Sequence, residues 1–227
     1  MNRFSRRDIL RKSALGLAAL GAGGLTLRAG ARPTEASGEL GAYGKFLAAR
    51  GEAPALTLPE GWVPTERGGF GPFYLQGAPF RAKVTPPLEP GKFLLIRGRV
   101  WGHDTRKPLA GAVLDVWQAD EKGRYSGKEE ELKNRARLVT DESCHYEFET
   151  IRPGRYGAGF GERASHIHYL VRHRGYRNLV TQLYFEGDPR NAQDPLVKKS
   201  LIIPLREIRA KDGSYEAGTF DIVLVPA

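Results

Sequence analysis

From residue 93 onward the chain falls into short apolar–polar alternations broken by turn residues, the period-two signature of strands with one buried face. Phe93 to Trp101 reads as a strand, and Ala112 to Trp117 as a second whose side chains alternate across two faces. Gly102 to Gly111 joins them and carries Asp104, Pro108 and Gly111, residue types that turns favour. His145 to Ile151, His166 to Arg172, Leu179 to Phe185 and Thr219 to Val225 have the same strand character. Short strands with a turn every ten residues or so predict an all-β protein built as an antiparallel β-sandwich. The chain before residue 90 has another texture. Ala42 to Arg50 could form a short helix, whereas Gly61 to Pro90, rich in Gly and Pro, reads as an irregular wrap. Ser126 to Arg137 is charged and reads as a solvated loop or short helix.

Composition agrees with a globular β-rich chain. Of 227 residues, 41% are hydrophobic and 27% charged, while 28 Gly and 15 Pro supply many turns. The formal charge of +9 is misleading. Six of the 35 basic residues and one of the 26 acidic ones lie in the first 31 positions, so the remainder carries only +4. That mild charge gives no argument for nucleic-acid binding. The first 31 residues resemble a twin-arginine export signal: Ser5-Arg6-Arg7-Asp8-Ile9-Leu10, then an apolar run from Ala14 to Leu27, then Ala29-Gly30-Ala31 as a small-residue cleavage site. The run is shorter than the ~20 apolar residues a spanning helix needs, so no stable membrane anchor is expected after cleavage. Export by this route predicts a periplasmic or extracellular protein that leaves the cell folded. The expected organisation is a signal peptide over 1–31, a wrapping segment over 32–90 and a β-sandwich core over 91–227.

Candidate chemistry is sparse, which helps. The single cysteine, Cys144, excludes an internal disulfide framework and any site built from several thiolates. Of five histidines, His103 and His173 have no motif around them and read as surface residues. His166 and His168 stand two apart on a predicted strand, so both imidazoles project from one face while Ile167 turns to the other. That arrangement suits two neighbouring ligands of one metal ion; imidazole takes zinc, copper, iron or nickel. With cysteine nearly absent and no carboxylate at a cupin-like spacing, tyrosine is the remaining anionic candidate. Tyr125 follows Asp120-Glu121-Lys122-Gly123-Arg124, and Tyr156 follows Ile151-Arg152-Pro153-Gly154-Arg155. A free tyrosine with a pKa of about 10 is a poor ligand at neutral pH unless a trivalent cation stabilises the phenolate.

Several motifs recur in one order. Gly71-Pro72-Phe73-Tyr74 comes first, then Ala112-Val113-Leu114-Asp115-Val116-Trp117-Gln118-Ala119-Asp120 running into Gly123-Arg124-Tyr125, and Thr150-Ile151-Arg152-Pro153-Gly154-Arg155-Tyr156. Arg163-Ala164-Ser165-His166-Ile167-His168 and Thr181-Gln182-Leu183-Tyr184-Phe185-Glu186-Gly187-Asp188 complete the set. Over roughly residues 68–225 the chain thereby resembles the intradiol ring-cleavage dioxygenases, non-haem Fe(III) enzymes that cleave catechols and protocatechuate. The resemblance implies one ferric ion per chain, held by Tyr125, Tyr156, His166 and His168, with Tyr156 and His168 as the axial pair. It implies that Arg163 stabilises negative charge developing on the substrate ring, that Gln182 lines the same pocket, and that Gly71, Phe73 and Tyr74 lie on the substrate side. Tyr156 is expected to leave the metal with a substrate proton. The implied reaction inserts both atoms of O2 between the two hydroxyl-bearing carbons of a catechol and yields a muconate-type diacid.

The match has departures. The aromatic residue that protocatechuate enzymes carry two positions after the second tyrosine is here Ala158, and their Asp-Gly turn before the Tyr-x-Phe strand is here Ser143-Cys144-His145. The long helical dimerisation segment of the catechol-cleaving enzymes has no room here, and because this one chain carries all four implied ligands it is expected to act as a monomer or homo-oligomer. A rival reading comes from another class. Gly98 to Tyr156 also resembles transthyretin-like or carboxypeptidase-regulatory sandwich modules, which bind rather than catalyse and need no His-x-His strand preceded by arginine.

Overall fold

The computed structural model describes residues 61–127, 132–157, 161–211 and 213–227. The export signal, the helix read over Ala42 to Arg50 and the departure at Ala158 lie outside these residues. Ten strands form two five-stranded sheets. The first sheet contains β1 (Phe93–Gly102), β4 (His145–Ile151), β8 (Arg206–Ala210), β9 (Gly213–Thr219) and β10 (Ile222–Leu224). The second runs in the order β3 (Arg135–Val139), β2 (Val113–Gln118), β5 (His166–Arg172), β6 (Leu179–Phe185) and β7 (Ile202–Ile203). A 3-10 turn over Lys199–Leu201 leads into β7. The sheets are antiparallel at most pairings, with parallel pairs β1–β9, β1–β10 and β6–β7.

The alternation that predicts strands also builds the core. Leu94, Ile96, Tyr146 and Phe148 from the first sheet meet Leu114, Val116, Ile167, Tyr169, Val171 and Leu183 from the second, all buried. Tyr146 donates its hydroxyl hydrogen to the Phe220 carbonyl at 2.5 Å, satisfying a polar atom that the core would otherwise penalise. The charged segment before Val139 departs from expectation. Its last three residues, Arg135 to Arg137, are not a solvated loop or helix but the start of strand β3, because Ala136 and Leu138 face the core while Arg135 and Arg137 take the outer face. Thr219 to Val225 is likewise not one strand. Beta strand β9 ends at Thr219 and β10 begins at Ile222, and between them Asp221 accepts the Arg99 amide hydrogen at 2.7 Å.

The outer face of the second sheet is what the rest of the chain serves. Residues 66–81 cross it without a regular helix or strand. They are tied on by Gly68 N–H to the Val180 carbonyl at 2.8 Å and by Arg81, which donates to the carbonyls of Leu132, Val84 and Arg135. Under this wrap, Asp115 sits at the centre of an ion cluster. Arg137 reaches it at 2.5 and 3.1 Å and Arg172 at 2.8 Å, and Tyr74 donates its hydroxyl hydrogen at 3.1 Å. Burial alone would raise the Asp115 pKa, but the two guanidinium groups outweigh it and hold the carboxyl below its ordinary range.

Replacing Asp115 by Ala leaves both arginines and the Tyr74 hydroxyl without their acceptor. Because the guanidinium groups are a quarter to a third exposed, the expected loss is about 2 kcal/mol rather than the 3–5 of a fully buried pair. Urea unfolding of the metal-free protein at pH 7 measures it.

Candidate metal centre

One row of the second sheet organises the site. In register across four strands stand Arg135 on β3, Trp117 on β2, His168 on β5 and Gln182 on β6. His166 lies one step along the same face, opposite Tyr184. Both histidines are 3% exposed. The Trp117 indole stacks flat on the His168 ring, with centroids 4.8 Å apart and an interplanar angle of 4°, and so fixes its tilt. His166 Nδ1–H donates to the Ala164 carbonyl at 2.5 Å, which leaves Nε2 as the free lone pair.

Tyr125 closes over this pair. Its hydroxyl oxygen is 3.3 Å from His166 Nε2 and 3.2 Å from His168 Nε2, and the two nitrogens are 3.1 Å apart. Three donor atoms so spaced match adjacent ligands on one ion with bonds of about 2.0–2.1 Å. Among the described residues no three His, Cys, Asp or Glu side chains come together, so phenol oxygen is what completes a set with these imidazoles. The donor chemistry fits a hard trivalent cation better than a structural zinc.

The loops that carry the tyrosines are locked together. Asp120 accepts the amide hydrogens of Lys122 and Arg124 in a tight turn, and Gly154 N–H donates to the Asp120 carbonyl at 2.8 Å. Gly123 has φ of +76°, and a β-carbon there would stand 1.8 Å from the Arg155 carbonyl oxygen, so only glycine allows the loops to approach. Tyr156 follows at once. It pairs with Arg163 in an isolated bridge, Arg163 N–H meeting its carbonyl at 2.6 Å. The Tyr156 ring stands edge-on to Tyr125 with centroids 5.5 Å apart.

A second set of polar groups surrounds the donors. Arg163 Nε donates to Asp194 at 2.7 Å, and its Nη2 donates to Gln182 Oε1 and to the Tyr184 hydroxyl oxygen, each at 2.9 Å. Tyr184 in turn donates to the same Gln182 oxygen. These two donors fix the amide so that Gln182 Nε2 faces the Gly69 carbonyl at 3.3 Å and His168 Nδ1 at 3.4 Å. Asp194 also accepts the amide hydrogen of Ala164 at 2.9 Å, so one carboxylate aligns both the arginine and the start of β5. Sequence reasoning assigns no role to either Tyr184 or Asp194: Tyr184 stands in the Thr181–Asp188 motif without one, and Asp194 is 31 residues beyond Arg163 and outside every motif.

The residues expected on the substrate side, Gly71, Phe73 and Tyr74, sit on the wrap. Phe73 stacks on Tyr125 with centroids 4.2 Å apart and an interplanar angle of 7°, and meets Tyr156 edge-on at 5.0 Å. Gly71 has φ of +64°, and a β-carbon there would press on His168 Cε1 at 3.3 Å. Tyr74 has its hydroxyl engaged by Asp115, and its ring packs on Trp117 at 4.9 Å. Phe70, 43% exposed, stacks on the same indole at 6.3 Å. His103, His145 and His173 stand apart from this cluster. The His173 ring nitrogen meets the Ala110 carbonyl, and His145 pairs with Arg99 on the opposite sheet. Cys144 occupies the left-handed region with φ of +64°, where the related turn has glycine, and burial pushes its thiol up to about 11.

Burial governs the ionisation of the donors. It raises Tyr125 far above an ordinary phenol, against the opposing pull of Arg163 and Arg135. It pushes His166 down to about 4 and His168 well below its ordinary value. Metal-free, the centre is therefore two neutral imidazoles and a neutral phenol at pH 7.

Known proteins share this layout. The dioxygenase family pattern matches residues 70–226. A catechol 1,2-dioxygenase of Acinetobacter lwoffii is 36% identical over 180 residues, 67% of this chain and 64% of the relative. A chlorocatechol 1,2-dioxygenase of Rhodococcus opacus is 34% identical over 181 residues, 68% of this chain and 70% of that protein. The chain thus spans about two thirds of the length of these relatives. Among solved structures, the dioxygenase domain of a carbohydrate-binding fusion from Streptomyces sp. SirexAA-E superposes with a TM-score of 0.64 at 36% identity, covering 73% of this chain and all of that domain. The 3-chlorocatechol 1,2-dioxygenase of Rhodococcus opacus 1CP gives 0.68 at 28% identity, over 72% and 73% of the two chains. A pattern that runs from the Gly71 loop through both tyrosine turns to the last strand has one source: the chain belongs to the intradiol dioxygenase family.

Proposed function

We propose that this protein is a non-haem Fe(III) dioxygenase that opens catechol-type rings between the two hydroxyl-bearing carbons, with O2 as co-substrate. The observation that carries the reading is the convergence of the Tyr125 oxygen with the Nε2 atoms of His166 and His168, each pair 3.1–3.3 Å apart, beside Tyr156. A transthyretin-like binding module has no use for such a cluster. Relatives named for catechol, chlorocatechol and 6-chlorohydroxyquinol support a catechol-type ring as the substrate class.

Tyr125, Tyr156, His166 and His168 would hold the iron. When bound, Fe(III) supplies Lewis acidity that draws the catechol oxygens in and shifts electron density onto the ring. The protein does the rest. Tyr156, carried at the end of its loop, would accept a substrate proton at its phenol oxygen. Phe73 and Gly71 shape the side where the ring lies, one by its flat face and the other by leaving room against His168. Arg163 presents a fixed positive charge in a largely water-free setting, where a charge acts far more strongly than in bulk solvent. Its direction is set in advance by Asp194, Gln182 and Tyr184, so little reorganisation is needed as negative charge develops. The resemblance of the first 31 residues to a twin-arginine signal supports export, with the activity directed at aromatic compounds met before uptake.

Iron uptake displaces tyrosine protons, so the apparent Fe(III) affinity should rise about tenfold per pH unit for each phenol deprotonated. Chelator competition measures it, and Tyr125→Phe should lower that slope by one proton and bleach the phenolate-to-iron colour. Below about pH 4, protonation of His166 should weaken binding further. A colourless protein that takes up zinc in preference to iron would refute the reading.

Oxygen uptake with catechol, protocatechuate, hydroxyquinol and larger catechols tests the reaction. Arg163→Met should keep the iron and its colour but lower kcat by about a hundredfold. Changing Arg6 and Arg7 to Lys should retain the unprocessed chain in the cytoplasm, as read by cell fractionation.

A further inference from the structure

Arg135 and Arg137 stand two apart on β3, and both project from the outer face of the second sheet. Their circumstances are opposite. Arg137 is partly exposed and forms a two-bonded ion pair with Asp115. Arg135 is 2% exposed and has no carboxylate partner among the described residues. Its one side-chain hydrogen bond runs from Nη2 to the Ser126 carbonyl at 3.3 Å, and its Nε and Nη1 have no acceptor. A buried cation with two unused donors is among the costliest things a fold can carry.

The neighbours show what such a group could serve. Ser126, its acceptor, is the residue after Tyr125. Trp117, beside it in register, lies flat on His168. Arg135 therefore lies at the base of the Tyr125 turn, one strand away from the histidine strand. Burial weakens its hold on its proton, and Tyr125 is the ionisable group whose negative charge would restore it.

We propose that Arg135 is the fixed counter-cation of the metal-bound Tyr125 oxygen, a positioning residue whose charge stays unbalanced until an ion draws that oxygen into its anionic form. The assignment rests on the function proposed above. It makes Arg135 a device that favours a centre with an anionic oxygen ligand over an empty one. Arg163 also acts on Tyr125 but is ion-paired with Asp194 at 2.7 Å, whereas Arg135 is the neighbouring cation without a carboxylate partner among the described residues.

Arg135→Met and Arg135→Lys test it against the wild type, with three readouts. For the metal-free proteins, urea unfolding should show Arg135→Met at least as stable as the wild type, since an unbalanced buried charge has been replaced by an apolar chain of similar length. For iron, chelator competition should show a loss of about tenfold or more in Fe(III) affinity for Met, partly restored by Lys. For the ferric proteins, the phenolate-to-iron band of Arg135→Met should move to longer wavelength, because a phenolate without its counter-cation gives up its electron more easily. If the wild type takes up Fe(III) and colours while Arg135→Met matches it in affinity and band position, the counter-cation role is overturned and the proposed function stands. A lower metal-free stability with unchanged iron properties marks Arg135 as merely structural and overturns it equally. A wild type that binds no Fe(III) defeats the proposed function itself.

Discussion

Alternation along one strand sets the direction of everything at the centre. His166 and His168 face outward because Ile167 and Tyr169 must face the core, and a pair of imidazoles on an outer sheet face would ordinarily be bathed in water. The molecule spends a long stretch of irregular chain to prevent that. Residues 66–81 cover the face, Trp117 supplies a flat wall, and Tyr125 descends from the turn after β2. Once water is excluded, burial favours the neutral imidazole in both histidines, and the bond from His166 Nδ1 to the Ala164 carbonyl leaves the His166 lone pair on Nε2, toward Tyr125.

The same exclusion raises the stakes for charge. Every charged group near the centre has either a tightly bonded partner or a reason to lack one. Asp115 is matched to Arg137 and Arg172, and Asp194 to Arg163. The latter pair shows how a distant carboxylate contributes to the site without touching substrate: by bonding both the Arg163 side chain and the Ala164 amide, Asp194 couples the arginine's direction to the start of the histidine strand. Gln182 joins the two networks, since its oxygen faces Arg163 and its amide nitrogen faces His168.

How much of this the sequence shows depends on whether the information is local. The bounds of β4, β5 and β6 coincide with the alternation of His145–Ile151, His166–Arg172 and Leu179–Phe185, since in each the pattern of burial is set within the strand. Strand β3 is hidden because Arg135 and Arg137 look solvated until the partners of the outer face are known. The break between β9 and β10 depends on Asp221 answering an amide 122 residues away, which no local pattern records. At the centre, the His-x-His pair is legible from periodicity, whereas the tyrosines are candidates by elimination and are assigned as ligands only through the family resemblance. Asp194, Tyr184 and Trp117 become visible only when four strands are laid side by side.

The interlock of the two tyrosine turns has a dynamic consequence. With the Gly154 amide bonded to the Asp120 carbonyl and Gly123 seated against Arg155, the backbone leading to Tyr156 has no freedom to swing as a lid. Movement of this phenol is thereby left to rotation about its own χ angles, with the loop that carries it acting as a fixed mount rather than a hinge.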